Sequence, residues 1–301
     1  MSRLDVVGVG SACIDLVVRV PRLPGPDEGL QLQEYTLQGG GKVATALVAA
    51  ARLGLRTAFI GSVGDDEFGR QILAEFASEG VETGGVKVQP GAASAFSTVL
   101  ADTGTGTRSI LWSPGTVQAM TLTEADCDRV ASARFLLVSE PSGSALQAAA
   151  YARSHGVTVV CDADYYTPDV ERLLPLVDIC IASSHFVREY LPGLSPEQAL
   201  AKIPCATAVI TLGRDGAVGR GPAGSIRVPS FNVPVIDTTG AGDVFHGAYI
   251  AGLVKGYSPA GVARYASAVA ALKCRALGGR RGIPTHQEVL EFLASQNIPE
   301  V

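Results

Sequence analysis

The 301-residue sequence predicts an α/β fold, a doubly wound and mostly parallel sheet flanked by helices with a small second β-sheet set apart from it. Three observations lead there. Short apolar, β-rich runs alternate with helical patterns along most of the chain. Two pairs of strand-like segments break this alternation with no helix between them. A hydrophobic content of 47% against 18% charged residues supplies a core large enough for one sizeable domain.

The elements follow in order. Leu4–Val9 reads as a buried strand, and Asp15 closes the turn after it, at the carboxyl edge where open α/β sheets bind ligands. Segments 16–20 and 29–37, punctuated by Pro21, Pro24 and Pro26, read as hairpin material. The triplet Gly39-Gly40-Gly41 then opens a helix through residues 46–54. Strand 56–63 leads into helix 67–80, where Phe68, Ile72 and Phe76 recur at four-residue steps and mark one buried stripe. A second hairpin joins 95–101 to 107–112 through Asp102-Thr103-Gly104-Thr105-Gly106. Strand 135–138, helix 144–155 and strands 157–161, 179–182 and 208–212 resume the βαβ rhythm. Helices over 244–255, 260–275 and 285–296 fill the last third, interrupted by Gly278-Gly279-Arg280-Arg281-Gly282. The chain 1–301 is thus expected to form one domain, with the two hairpins inserted at about 15–38 and 94–113. Because neither hairpin can enter a parallel sheet, they are expected to pair with each other. Such a sheet is marginal alone and leaves an apolar face, so two copies are expected to associate through it.

Composition excludes several classes. A net charge of −5 with 24 scattered Lys and Arg residues and no basic stripe argues against nucleic acid. No apolar stretch approaches the ~20 residues that span a bilayer, and no cleavable leader is visible, so a cytoplasmic location away from the membrane is expected. Six separated cysteines, Cys13, Cys127, Cys161, Cys180, Cys205 and Cys274, read as reduced core residues. The four histidines, His155, His185, His246 and His286, lack the spacing of a transition-metal site.

The most informative segment is Asp237-Thr238-Thr239-Gly240-Ala241-Gly242-Asp243, followed at once by a small, apolar helical run. Gly240, Ala241 and Gly242 carry almost no side chain, so their backbone N–H groups can approach an anion at the positive end of a helix beginning near Asp243. Asp243 beside that hole can take a proton from a hydroxyl while the amides stabilise a transferring phosphoryl group. The helix terminus is expected to keep Asp243 ionised and therefore a weak base.

Two further segments complete a pattern: Gly39-Gly40-Gly41-Lys42-Val43-Ala44-Thr45 near the N-terminus, and Val209-Ile210-Thr211-Leu212-Gly213-Arg214-Asp215-Gly216. With 237–243, they resemble the ribokinase (PfkB) family of sugar kinases over nearly the whole chain. The resemblance implies a ribokinase-like fold in which the small sheet is a lid, and an ATP-dependent carbohydrate kinase with Mg²⁺ on the nucleotide. It assigns Asp243 as catalytic base and Gly240, Ala241 and Gly242 as the anion hole. Asp15, Gly40, Gly41, Lys42, Thr45, Arg108, Glu140 and Asp162 are implied to border the sugar or the lid. Thr45 stands where ribokinases commonly carry an Asn, which alters that contact. Glu140 is implied to face phosphates, metal or water, and Asp162 the substrate; either could instead cap the turn that follows. Thr211, Gly213, Gly278 and Gly279 resemble nucleotide contacts, and Asp237 and Thr239 part of a K⁺-type monovalent-cation site. The family's Asn-x-x-Glu, which organises Mg²⁺, is replaced by Ser183-Ser184-His185-Phe186-Val187, leaving water-mediated contacts or a shifted carboxylate such as Glu189 as substitutes.

Other readings compete. Gly8-Val9-Gly10-Ser11-Ala12-Cys13 begins like a dinucleotide-binding fingerprint but ends in Cys13, with prolines where the helix should start. Gly41-Lys42 lacks the Ser or Thr of a P-loop. A non-catalytic sugar or nucleotide sensor on the same fold, and a nucleoside kinase, stand as alternatives. Segments 237–247 and 270–284 look most like the subgroup that includes sulfofructose kinases. The carboxylates Asp15, Glu140 and Asp162 nevertheless favour a neutral polyol or keto-sugar over an anionic one, while Arg108 and Lys42 keep a sugar acid or sulfosugar open.

Overall fold

The structure is a computed structural model describing residues 3–298. Its strands are β1 (Leu4–Val9), β2 (Cys13–Val20), β3 (Glu34–Gly40), β4 (Thr57–Gly64), β5 (Val81–Gln89), β6 (Ala95–Asp102), β7 (Arg108–Ser113), β8 (Ala133–Val138), β9 (Thr158–Ala163), β10 (Ile179–Ser183), β11 (Thr207–Thr211), β12 (Ala217–Gly221) and β13 (Gly224–Val228). The helices are α1 (Lys42–Arg52), α2 (Glu67–Ser78), α3 (Glu124–Ser132), α4 (Gly143–Ser154), α5 (Val170–Leu173), α6 (Ser184–Tyr190), α7 (Pro196–Leu200), α8 (Ala241–Val254), α9 (Pro259–Lys273) and α10 (His286–Ser295).

A nine-stranded sheet has the order β13-β12-β11-β10-β9-β8-β1-β4-β5. It is parallel from β11 through β5 and ends in the antiparallel β12–β13 hairpin. Alternating side chains feed two cores. Val6, Phe59, Leu137 and Ile181 pack against α1, α8 and α9, while Val7, Leu136, Val159 and Cys180 pack against α4, α6 and α7. Strands buried on both faces are continuous apolar runs, which is why β8 to β11 stand out in the sequence. Chain order reverses between β1 and β8, the topological switch point that opens a crevice at the carboxyl ends.

The two hairpins form a separate four-stranded sheet, β3-β2-β6-β7. Its inner side holds Val17, Val99 and Ala101 against Leu277. Cross-strand register puts Tyr35, Leu37, Leu16, Val18, Leu100 and Leu111 together on the other side. Tyr35 (64% exposed) and Leu111 (59%) leave that face apolar and open.

Several elements depart from expectation. The strand expected over 29–37 runs from Glu34 to Gly40, because its register with β2 pairs Gly40 with Cys13. Asp15 lies within β2 rather than in a turn. Strand β5 escapes a periodicity reading because Gly84-Gly85 and a register shift against β4 interrupt its alternation. The β12–β13 hairpin and helices α3 and α5 to α7 are short additions that sequence pattern also missed. Helix α8 begins at Ala241, which places Asp243 inside its first turn. Among the described residues all six cysteines are free and four are buried, and no helix is long and apolar enough to cross a membrane.

Candidate active site

The turn before α8 carries the densest chemistry. Gly240 is its N-cap, with φ 72° and ψ 4°, a left-handed conformation that a Cβ would strain. That geometry sends the Gly240 carbonyl to the Val244 N–H at 2.9 Å and the Ala241 N–H back to the Thr238 carbonyl at 3.2 Å. The N–H groups of Gly240, Gly242 and Asp243 have no partner among the described residues. These three unsatisfied donors lie together at the positive end of a fourteen-residue helix, where an anion would be favoured, while the Ala241 amide is turned back into the preceding turn.

Asp243 sits beside these donors, half-buried. The expectation that the helix terminus keeps it acidic fails, because burial first and the neighbouring Asp162 second push its pKa up to about 7. His246 and Lys42 oppose that shift only in part. Asp162, near the end of β9, is buried within 3.4 Å of His246 Nε2; burial raises its pKa despite His246 and Lys42. One turn beyond Asp243, His246 bonds the Gly242 carbonyl through Nδ1 at 2.6 Å, and its Nε2 lies 3.2 Å from the Ile181 carbonyl. His246 thus ties α8 to β9 and β10.

Lys42, the first residue of α1, reaches into the same space. Its Nζ is 3.3 Å from Asp164 and 3.8 Å from Glu140, and lies over the Tyr165 ring at 4.8 Å. Burial alone would lower its pKa, but Asp162, Glu140, Asp164 and Asp243 outweigh that and raise it. Asp15 faces Lys42's loop: its Oδ1 accepts from Ser97 Oγ at 2.6 Å, and a Cβ on Gly40 would come within 2.0 Å of its Oδ2. The loop therefore passes against the carboxylate only because residue 40 is glycine. Gly41 leads directly into α1.

Other predicted residues play different local parts. Thr45 is buried, and its hydroxyl accepts from Arg280 Nε at 3.3 Å instead of opening to the crevice. Arg280 also donates to the Gly40 carbonyl at 3.0 Å and pairs with Glu75 at 3.3 Å, anchoring the glycine loop. Arg108 spans from β7 to Thr238 Oγ1 at 3.0 Å, so the small sheet touches the turn before α8. Thr211, at the end of β11, donates to the Ala182 carbonyl at 3.4 Å, and Gly213 is exposed just beyond it. Gly278 and Gly279 are buried; Gly278 N–H donates to Asp237 Oδ2 at 2.8 Å, and Gly279 packs against Gly240. Asp237 Oδ1 accepts the Thr239 N–H at 2.9 Å and its hydroxyl at 2.8 Å. Glu189 accepts from the Tyr166 N–H at 3.1 Å and contacts His185 at 3.2 Å, which commits it locally. Among the described residues no group of three His, Cys, Asp or Glu side chains is placed to hold a metal ion.

Sequence reasoning missed Asp164, His246, Lys273 and Arg280. Asp164 was within reach, since it follows Asp162 at the same strand end. Lys273 was also signalled: Val262, Ala266 and Val269 mark the buried side of α9, and position 273 continues that spacing.

The pfkB family carbohydrate kinase profile matches residues 3–286. The ribokinase of Haemophilus influenzae is 33% identical over 312 residues, covering 97% of this chain and 99% of its own. The 5-dehydro-2-deoxygluconokinase of Bacillus subtilis is 32% identical over 321 residues, covering 97% of each. Among solved structures, Arabidopsis thaliana ribokinase complexed with ribose and ATP is similar with a TM-score of 0.85 and 27% identity, over 97% of this chain and 99% of that one.

Proposed function

The chain belongs to the pfkB family of carbohydrate kinases, and on that footing we propose that it transfers the γ-phosphoryl group of ATP to a primary hydroxyl of a small neutral sugar or sugar-like alcohol, with Asp243 as the base. The observation that carries this reading is the placement of Asp243 in the first turn of α8, beside three backbone N–H groups without partners. The Asp243 carboxylate takes the hydroxyl proton as the acceptor oxygen bonds phosphorus and the bond to ADP breaks. The amides of Gly240, Gly242 and Asp243 hold the phosphoryl oxygens as charge redistributes. Asp15 and the Gly40-Gly41 backbone receive sugar hydroxyls, and Lys42 neutralises the carboxylates around it. Thr211 and Gly213 lie along the nucleotide side, and Arg108 closes the lid edge over the turn. Mg²⁺ supplies charge neutralisation on the phosphates when bound; Glu140, an exposed carboxylate, fits its water shell.

The acidic lining favours a neutral acceptor. Asp15, Glu140, Asp162 and Asp164 outnumber Lys42 and Arg108, and Lys42 is already paired. The relatives are named for ribose and for 5-dehydro-2-deoxygluconate, and the similarity of 237–247 and 270–284 to sulfofructose kinases adds an anionic arm to any test. ADP release measured over a panel of neutral sugars, sugar acids, a sulfosugar and nucleosides distinguishes these acceptors. We expect a neutral sugar or polyol to give the highest kcat/KM. Preference for a sulfosugar or sugar acid would overturn the neutral assignment, preference for a nucleoside would make the protein a nucleoside kinase, and ATP or sugar binding without turnover of any compound would favour a sensor.

A further inference from the structure

Lys273, the last residue of α9, is 0% exposed. Lysine is almost never fully buried without partners, so its ammonium must be satisfied inside the protein. Its Nζ donates to the Asp237 carbonyl at 3.0 Å and to the Thr239 carbonyl. Burial lowers its pKa, with the charges of Asp237 and Asp243 acting in the opposite direction. The two carbonyls belong to the very residues whose resemblance implied a monovalent-cation site.

Those residues do not fit a free ion. A K⁺ ion needs several oxygens to replace its hydration shell, and here two main-chain oxygens already face a positive nitrogen from the same chain. The Asp237 carboxylate is already committed to the turn, its Oδ1 accepting the Thr239 N–H and hydroxyl and its Oδ2 the Gly278 N–H. A second cation at these carbonyls would meet the charge of Lys273.

The ammonium also does what an ordering ion would do. Peptide units are planar, and no cis bond occurs among the described residues, so each carbonyl points opposite to the next N–H. Holding the Thr239 carbonyl onto Lys273 therefore aims the Gly240 N–H away from it, on the side of the open helix terminus. Asp237, fixed by Thr239 and Gly278, holds the rest of the turn in register with the 277–280 loop.

We infer that the ε-ammonium of Lys273 is a built-in cation that replaces the monovalent ion, so that the anion hole is ordered and turnover proceeds without K⁺; the turnover part rests on the kinase reading above. The test compares potassium chloride with tetramethylammonium chloride at equal ionic strength. Wild-type ADP release, with whichever acceptor the panel identifies, should agree within about twofold between the two salts, whereas activation by K⁺ of about tenfold or more would overturn the inference. Melting temperature needs no acceptor, so it reads the inference even if no compound is phosphorylated. The wild-type value should be the same in both salts, and K⁺-specific stabilisation of the wild type would contradict the built-in cation. Lys273→Ala frees the space and should gain K⁺-specific thermal stabilisation and about tenfold K⁺ activation, whereas the volume-conserving Lys273→Met removes the charge without making room for an ion and should lose activity and stability in both salts. A Lys273→Met variant as active and as stable as wild type in tetramethylammonium would sink the proposal.

Discussion

Asp243 is held between two demands, acidity at a helix terminus and burial beside another carboxylate, and burial prevails. With its pKa pushed up to about 7, it suits the proposed role of a base working at neutral pH. Only the ionised form accepts a proton, so kcat/KM should climb about tenfold per pH unit below about pH 7 and level off above it, provided the acceptor itself does not titrate. A profile flat from about pH 5 to about pH 8.5 would remove Asp243 from that role. The same shift has a sign for stability. The folded chain keeps a proton that the unfolded chain releases near 3.8, so this contribution favours the fold at low pH and is lost as pH rises through about 7. At this scale the sequence was legible where chemistry is local: Gly240 and Asp243 share one short motif. It was silent where partners come from afar, as when Arg280 crosses to Gly40 and Thr45, or His246 meets Asp162 across two elements.

Elements were legible in proportion to their burial. Strands β8 to β11 are apolar on both faces and announced themselves, while β5, with Gly84-Gly85 and charged residues on an edge, did not. The capping geometry of α8 moved its start to Ala241, a shift that periodicity cannot resolve in a run as uniformly buried as Val244 to Gly252. The small sheet is the element whose role extends beyond the monomer. Its outer face gathers Tyr35, Leu37 and Leu111 around half-buried Leu16, Val18 and Leu100, an open apolar surface on an element too thin to stand alone. We expect two copies to pair through it. Sedimentation should show a concentration-dependent dimer, and Leu111→Asp should shift it to monomer with the main fold intact. A wild type that stays monomeric at high concentration would refute the pairing.

The whole molecule brings distant halves of the chain to one crevice, and that assembly is the part least visible in the sequence. Which strands flank β1 depends on pairings with residues around 57 and 133, far apart along the chain, so the switch point appears only in three dimensions. There Asp15, Gly40 and Lys42 from the first fifth of the chain face Asp162 from its middle and Asp243 near its end. In the proposed mechanism binding is spread over all of these groups, whereas the proton passes to one. Replacing that one group should separate the two functions. The most direct measurement is steady-state turnover of Asp243→Asn alongside calorimetric binding of ATP and acceptor. The account predicts kcat lower by about 10³-fold or more, with both dissociation constants and the melting temperature close to wild type or better. Turnover within about tenfold of wild type would contradict the claim that Asp243 takes the proton in phosphoryl transfer.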